Sequence, residues 1–223
     1  MRYIFELELK KMISNKASSL YIFGYCLVCG IFIPYFFTRE FDSMSTILIL
    51  SAIAQISPGV FAKEREDRTF ETMLSLPVSM KKIFMSKTIF SFTIIACMLH
   101  ISYILNYGMS FFLDSSSFKH FDLRNVLVYF PMLVILIFNM AYQATYTSFI
   151  SRDSKATAIK TTYTSMPYYL MAAFIIEVSK RSDRFFSLYI LIFLLINLII
   201  FIILTLRTKK YFKKSSLLQL LND

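Results

Sequence analysis

The chain has 223 residues, is 57% hydrophobic and 17% aromatic, and has a mean hydropathy of +0.59. Water-soluble domains are about 45–50% apolar, so this excess points to a membrane protein. The 24 Lys and Arg outnumber the 14 Asp and Glu, for a net charge of +10. The aromatics lie inside the apolar runs, so the charge is an orientation signal and a contact with anionic lipid. Nucleic acid is not an expected partner.

At the start of the chain Met1, Phe5, Leu9, Met12 and Ile13 recur at helical spacing, opposite Arg2, Glu6 and Lys10. This predicts an amphipathic helix over residues 1–16 lying in the membrane interface. Glu6 and Glu8 break any continuous apolar core, so the segment is not expected to be a cleavable leader. Six stretches without Asp, Glu, Lys or Arg follow: Ala17–Thr38, Ser43–Ala62, Thr88–Leu113, Asn125–Ser151, Thr161–Ile176 and Phe186–Leu206. A helix of about 20 apolar residues crosses roughly 30 Å of hydrocarbon. The predicted transmembrane helices are therefore 17–38, 43–62, 83–113, 125–150, 160–178 and 186–206. The shortest run, Thr161–Ile176, reaches only about 24 Å. Lys160 snorkelling at one end and Glu177 at the other interface make it a span, with a re-entrant segment as the alternative.

An even number of spans puts both termini on one side. All but six of the 24 basic residues then fall on that side, which makes it cytoplasmic. The outer loops Arg39–Asp42, Asp114–Arg124 and Lys180–Arg184 are too short to fold alone. The expectation is one all-α, multi-pass domain in the cell membrane. Its tail over 207–223 is anchored by Lys209, Lys210, Lys213 and Lys214.

Cys26 and Cys29 have CxxC spacing but lie within the first run, where a thiolate is strongly disfavoured; they and Cys97 are small apolar fillers. His100 and His120 have no carboxylate cluster near them in sequence, so no metal site is expected and His100 is a helix-packing residue. With only four glycines and no GxxxxGK[ST], the chain has no phosphate-cradling loop. If it uses ATP, another chain hydrolyses it. An intramembrane enzyme needs paired acids or histidines at one depth, and only His100 lies deep. Within the spans, Thr161, Thr164, Ser165 and Tyr168 share a stripe. Polar side chains there face protein or a cavity. Gln55, Asn139, Tyr142, Gln143, Tyr146 and Tyr168 are the candidates to line a cargo path. Spans almost free of charge favour an amphipathic or hydrophobic cargo.

The charged segment over 63–82 interrupts this pattern. Lys63 with Asp67 and Glu64 with Arg68 are i,i+4 pairs that favour a helix leaving the second span. Phe70, Met73 and Leu74 then form an apolar face beside Glu71. Pro77 ends the element and Ser79 can cap the next helix. The product is a short amphipathic helix held between two spans, suited to docking in a groove on a soluble partner.

Residues 64–79, Glu-Arg-Glu-Asp-Arg-Thr-Phe-Glu-Thr-Met-Leu-Ser-Leu-Pro-Val-Ser, with Ile83 and Lys87 beyond, resemble the E-R-E-x-G-T-x-E-x-L-L-x-x-P-V-S signature of ABC-2 type permeases. These are membrane subunits of ATP-binding cassette exporters. Arg68 stands where the family usually has Gly, and the Ile176–Arg184 connection is short where many members carry extracellular half-helices. The resemblance implies six spans, an interfacial N-terminal helix and a cytoplasmic coupling helix. It also implies that Glu64, Glu66, Arg68, Phe70, Glu71, Met73 and Leu74 contact a separate ATPase that binds ATP and Mg. The loop Ser151–Lys160 would make a second, smaller contact. A second permease subunit, identical or different, would complete the assembly. The implied cargo is toxic or antimicrobial peptides. Export of a drug, lipid or polysaccharide, or a non-transporting immunity role, are the alternatives.

Overall fold

The computed structural model describes residues 2–14, 16–33, 35, 43–56, 61–67, 78–112, 123–151, 153–179 and 186–220. Every regular element among the described residues is helical: α1 (Arg2–Ser14), α2 (Lys16–Leu27), α3 (Ser43–Ile56), α4 (Ala62–Glu66), α5 (Met80–Phe112), α6 (Leu123–Ile150), α7 (Ser154–Ser179) and α8 (Phe186–Leu220). A π-helical turn, Val28–Phe32, continues α2. Among the described residues, three helices are long and apolar enough to cross a membrane: Met80–Gly108, Pro131–Ile150 and Tyr189–Lys210. The outward face of α8 is a sheet of exposed Leu and Ile, including Leu191, Leu195, Leu198, Ile199 and Ile202, a surface that suits hydrocarbon.

Helix ends fall where the local chemistry puts them. Ser79 holds the N-cap of α5, its carbonyl accepting the N–H groups of Lys82 (2.8 Å) and Ile83 (3.2 Å), so the helix starts ahead of residue 83. Asp153 caps α7 by accepting the Ala156 N–H at 2.6 Å, and that helix gains six residues before Lys160. α3 is described as far as Ile56; residues 57–60 of the stretch expected to continue to residue 62 lie outside the described residues, and Ala62 opens α4. In the other direction, α8 runs on past Leu206 to Leu220. Nothing in Arg207–Leu220 breaks a helix, and its Arg, Lys and Leu favour one.

α1 lies along α5 with Ile4 buried and Phe5, Leu9 and Met12 packed on the core. Phe5 meets Phe90 edge-on at 5.8 Å. The side of α1 turned inward also carries Glu8, which is buried.

The π turn brings two helices into close approach. A Cβ on Gly30 would stand 2.6 Å from the Ser102 carbonyl oxygen and 2.9 Å from its Cα. Beside it Ser102 Oγ donates to the Cys26 carbonyl at 3.4 Å. Such small-residue contacts let membrane helices pack backbone to backbone. Gly24 has nothing within 4 Å of its Cβ position. Gly30→Ala is therefore expected to cost about 1–3 kcal/mol, because backbone has to move. Gly24→Ala should be neutral or mildly stabilising. Melting of the two purified variants checks this; equal melting temperatures would remove the close contact from the account.

Candidate functional site

The short helix α4 enters the charged segment, and four other helices hold it. Its first turn has N–H groups with no partner inside the helix. Ser148 Oγ on α6 accepts the N–H of Ala62 (3.2 Å) and that of Phe61 just before the helix (3.0 Å). At the other end Glu66 reaches the start of α7, where its Oε1 accepts the Ser154 N–H at 2.7 Å and the Ser154 hydroxyl at 2.9 Å. A carboxylate at a helix N-terminus satisfies orphan donors and meets the favourable end of the dipole.

Between these ends sits a buried ionic node. Lys87 on α5, 1% exposed, places its ammonium 3.0 Å from Glu8 Oε1 of α1 and 2.7 Å from Glu64 Oε2 of α4. Lys11 of α1 approaches the other Glu64 oxygen to 3.3 Å and Glu8 to 3.8 Å. Two carboxylates and two ammonium groups thus balance, which is the condition for keeping charges out of water. Burial holds the Glu64 carboxyl above its ordinary value; Lys87 and Lys11 pull it back down, while Glu8 adds to the rise. Lys87 also stands 4.9 Å from the centroid of the Phe61 ring, within cation–π reach.

Phe61 opens an aromatic cluster at the same end of the bundle. Its ring meets Phe149 at 5.2 Å, Phe84 meets Tyr142 at 5.2 Å and Phe212 at 5.6 Å, and Tyr142 meets Phe201 at 5.8 Å. Edge-to-face contacts of this kind each add about 0.5–1.5 kcal/mol beyond burial. The cluster joins α4, α5, α6 and α8 around the node.

Of the residues that the sequence nominated for coupling, Glu64 and Glu66 are held by these contacts. Glu64 faces inward and is buried, while Glu66 bridges to α7 and is exposed. Arg68, Phe70, Glu71, Met73 and Leu74 lie outside the described residues. The node partners Glu8, Lys11 and Lys87 were not nominated, nor was Ser148. Glu8 carried a signal: it is a charge at i+4 from Ile4 and i+3 from Phe5, on the apolar stripe of α1.

The nominated path residues separate. Asn139 is buried and donates to the Asn197 side chain at 3.0 Å and to the Asn197 carbonyl at 3.2 Å, tying α6 to α8. Tyr142 belongs to the aromatic cluster, and Tyr168 is buried in the main core with Ala172. Gln55 lies in the last turn of α3. On the Thr161 stripe, Thr161 and Ser165 are buried and Thr164 is exposed. His100 bonds the Ala96 carbonyl of its own helix at 2.6 Å, and Cys26 and Cys29 are free and buried.

Gln143 and Tyr146 do come together, in an open cleft of about 490 Å³ between α6, α7 and α8. Thr147, Ile150 and Thr164 complete its uncharged lining, and Lys160, Arg207 and Lys210 stand around it. Compared with family models, curated proteins and solved structures, the chain finds no match.

Proposed function

We propose that this chain is the permease subunit of an ATP-binding cassette exporter of the ABC-2 kind, moving an amphipathic or hydrophobic cargo outward while a separate ATPase hydrolyses ATP. In this reading all six apolar runs cross the membrane, with both termini and the 63–82 segment in the cytoplasm. Residues 68–74 form the face that docks on the ATPase, and α1 lies at the interface. Two permease and two ATPase copies make the working unit. Toxic or antimicrobial peptides are the leading cargo class.

Two things support the reading. One is the resemblance of residues 64–79 to the permease signature. The observation that carries it is the seating of α4. Glu64 ties the entry of the charged segment to α1 and α5, Ser148 ties it to α6, and Glu66 ties it to α7. A load applied to the residues just beyond α4 is thus delivered to four helices through short contacts, buried at Ser148 and Lys87 and exposed at Ser154. A loop that merely linked two spans would need no such seat.

Cells lacking the chain should lose tolerance to amphipathic peptides or accumulate one, with restoration by the intact gene. Unchanged peptide tolerance together with altered polysaccharide or lipid export would overturn the cargo assignment. Topology is checked separately. A cysteine placed at Ser75 should resist an impermeant thiol reagent in intact cells and react once they are opened. Labelling in intact cells would put the segment outside and end the coupling role.

A further inference from the structure

The cleft between α6, α7 and α8 has a chemistry that the exporter reading does not use. Lys160, Arg207 and Lys210 come from two helices and converge on one concavity of about 490 Å³. No carboxylate is among its described lining residues. Like charges repel, so three cations gathered without an acid favour an anion between them. The uncharged lining adds hydrogen-bonding groups from Gln143 and Tyr146, while the Thr164 hydroxyl donates to the Lys160 carbonyl at 2.9 Å. This is the donor set that recognises a phosphate, where Arg supplies a planar fork and Lys a point charge.

The position of the cleft selects the source of that phosphate. Arg207 and Lys210 stand where the long apolar stretch of α8 ends. One turn before them Ile203 and Leu206 are exposed, and on α7 Ile159 and Tyr163 flank Lys160 and are exposed too. An anion in the cleft therefore has open apolar surface beside it on both helices. A free phosphate gains nothing from that surface, whereas an acyl chain does. The volume also exceeds what a bare phosphate fills and falls in the range of larger ligands, roughly 300–1,000 Å³.

We infer that this cleft binds the headgroup of an anionic phospholipid, with Lys160, Arg207 and Lys210 holding the phosphate and the chains lying against α7 and α8. The inference is independent of the exporter reading, since it needs neither an ATPase nor a cargo. Basic pockets between membrane helices bind such headgroups by this physics, each Lys or Arg near the surface adding roughly fivefold in affinity.

The test uses the full chain, purified in neutral detergent and titrated with phosphatidylglycerol, with phosphatidylcholine of the same chain length, and with soluble glycerol 3-phosphate. Bound molecules are counted by native mass spectrometry. Phosphatidylglycerol should be retained at least tenfold more tightly than phosphatidylcholine. Replacing all three cations, as Lys160→Gln, Arg207→Gln and Lys210→Gln, should weaken it roughly a hundredfold. The exposed pair Lys81→Gln and Lys82→Gln should leave it unchanged. Single Arg207→Gln and Lys210→Gln variants, each matched to the unaltered chain in melting temperature, should each lose part of the preference. Equal retention of both lipids, or full preference in the triple variant, would overturn the inference. Displacement of phosphatidylglycerol by glycerol 3-phosphate at similar concentration would reassign the site to a soluble phosphate.

Discussion

Lys87→Met should be among the most disruptive single substitutions in the described part of the protein. The methionine fits the space, but it leaves Glu8 and Glu64 buried a few ångströms apart without the ammonium that bridges them at 3.0 and 2.7 Å. Removing one partner of a buried ion pair costs about 3–5 kcal/mol, far more than the pair itself contributes. For a chain of this size that corresponds to a fall in melting temperature of roughly 6 °C or more. Glu64→Gln should be much milder, because Lys87 keeps Glu8 and because burial already disfavours the Glu64 charge.

The pH dependence follows from the same shift. Glu64 has a folded-state pKa raised above its unfolded value, so its contribution is fully present below the unfolded value. It is lost as pH rises through the folded one. The stability difference between the unaltered chain and Glu64→Gln should therefore shrink with rising pH across the range just above ordinary glutamate titration. Melting curves of the purified variants across that range decide the matter. A Lys87→Met protein that melts with the unaltered chain would dissolve the node as a structural element.

The second large effect concerns the proposed docking face. Phe70 would act there as a buried aromatic anchor, and truncating such an anchor commonly costs about 2 kcal/mol or more. This is roughly a thirtyfold loss of ATPase affinity, since 1.4 kcal/mol is tenfold. Leu74→Asp should do at least as much by putting a charge into an apolar groove. Both variants should still insert, because neither residue lies in an apolar run. Cargo export should fall in step with ATPase association, and unchanged export in both variants would argue for a passive loop.

What was legible in the sequence was the part governed by local physics. Apolar runs at Thr88–Leu113, Asn125–Ser151 and Phe186–Leu206 correspond to α5, α6 and α8, because length and hydropathy decide a membrane helix with little help from its neighbours. Of the stripe expected on α1, Phe5, Leu9 and Met12 pack inward on the core, while Ile13 is exposed. The contacts at the seat of α4 were not legible. Glu8, Glu64 and Lys87 are far apart in the chain, and nothing in sequence spacing says which buried charge finds which. Lys87 follows Lys81 and Lys82 at the start of α5, and nothing in the sequence separates the buried lysine from the two exposed ones. Asn139 was visible as a polar group inside an apolar helix, but its partner Asn197 sits 58 positions away. A single charge on an apolar stripe, such as Glu8, is the sequence feature that could have pointed to the node.

The most direct measurement of the central proposal is purification of the tagged chain from gently solubilised native membranes, followed by assay of the eluate for ATP hydrolysis and for a co-eluting nucleotide-binding subunit. An ATP-binding cassette ATPase is predicted to elute with the unaltered chain at about equal amounts and to be largely lost with Phe70→Ala at matched membrane levels. An eluate without ATPase, or one whose ATPase content is indifferent to Phe70→Ala and Leu74→Asp, would contradict it.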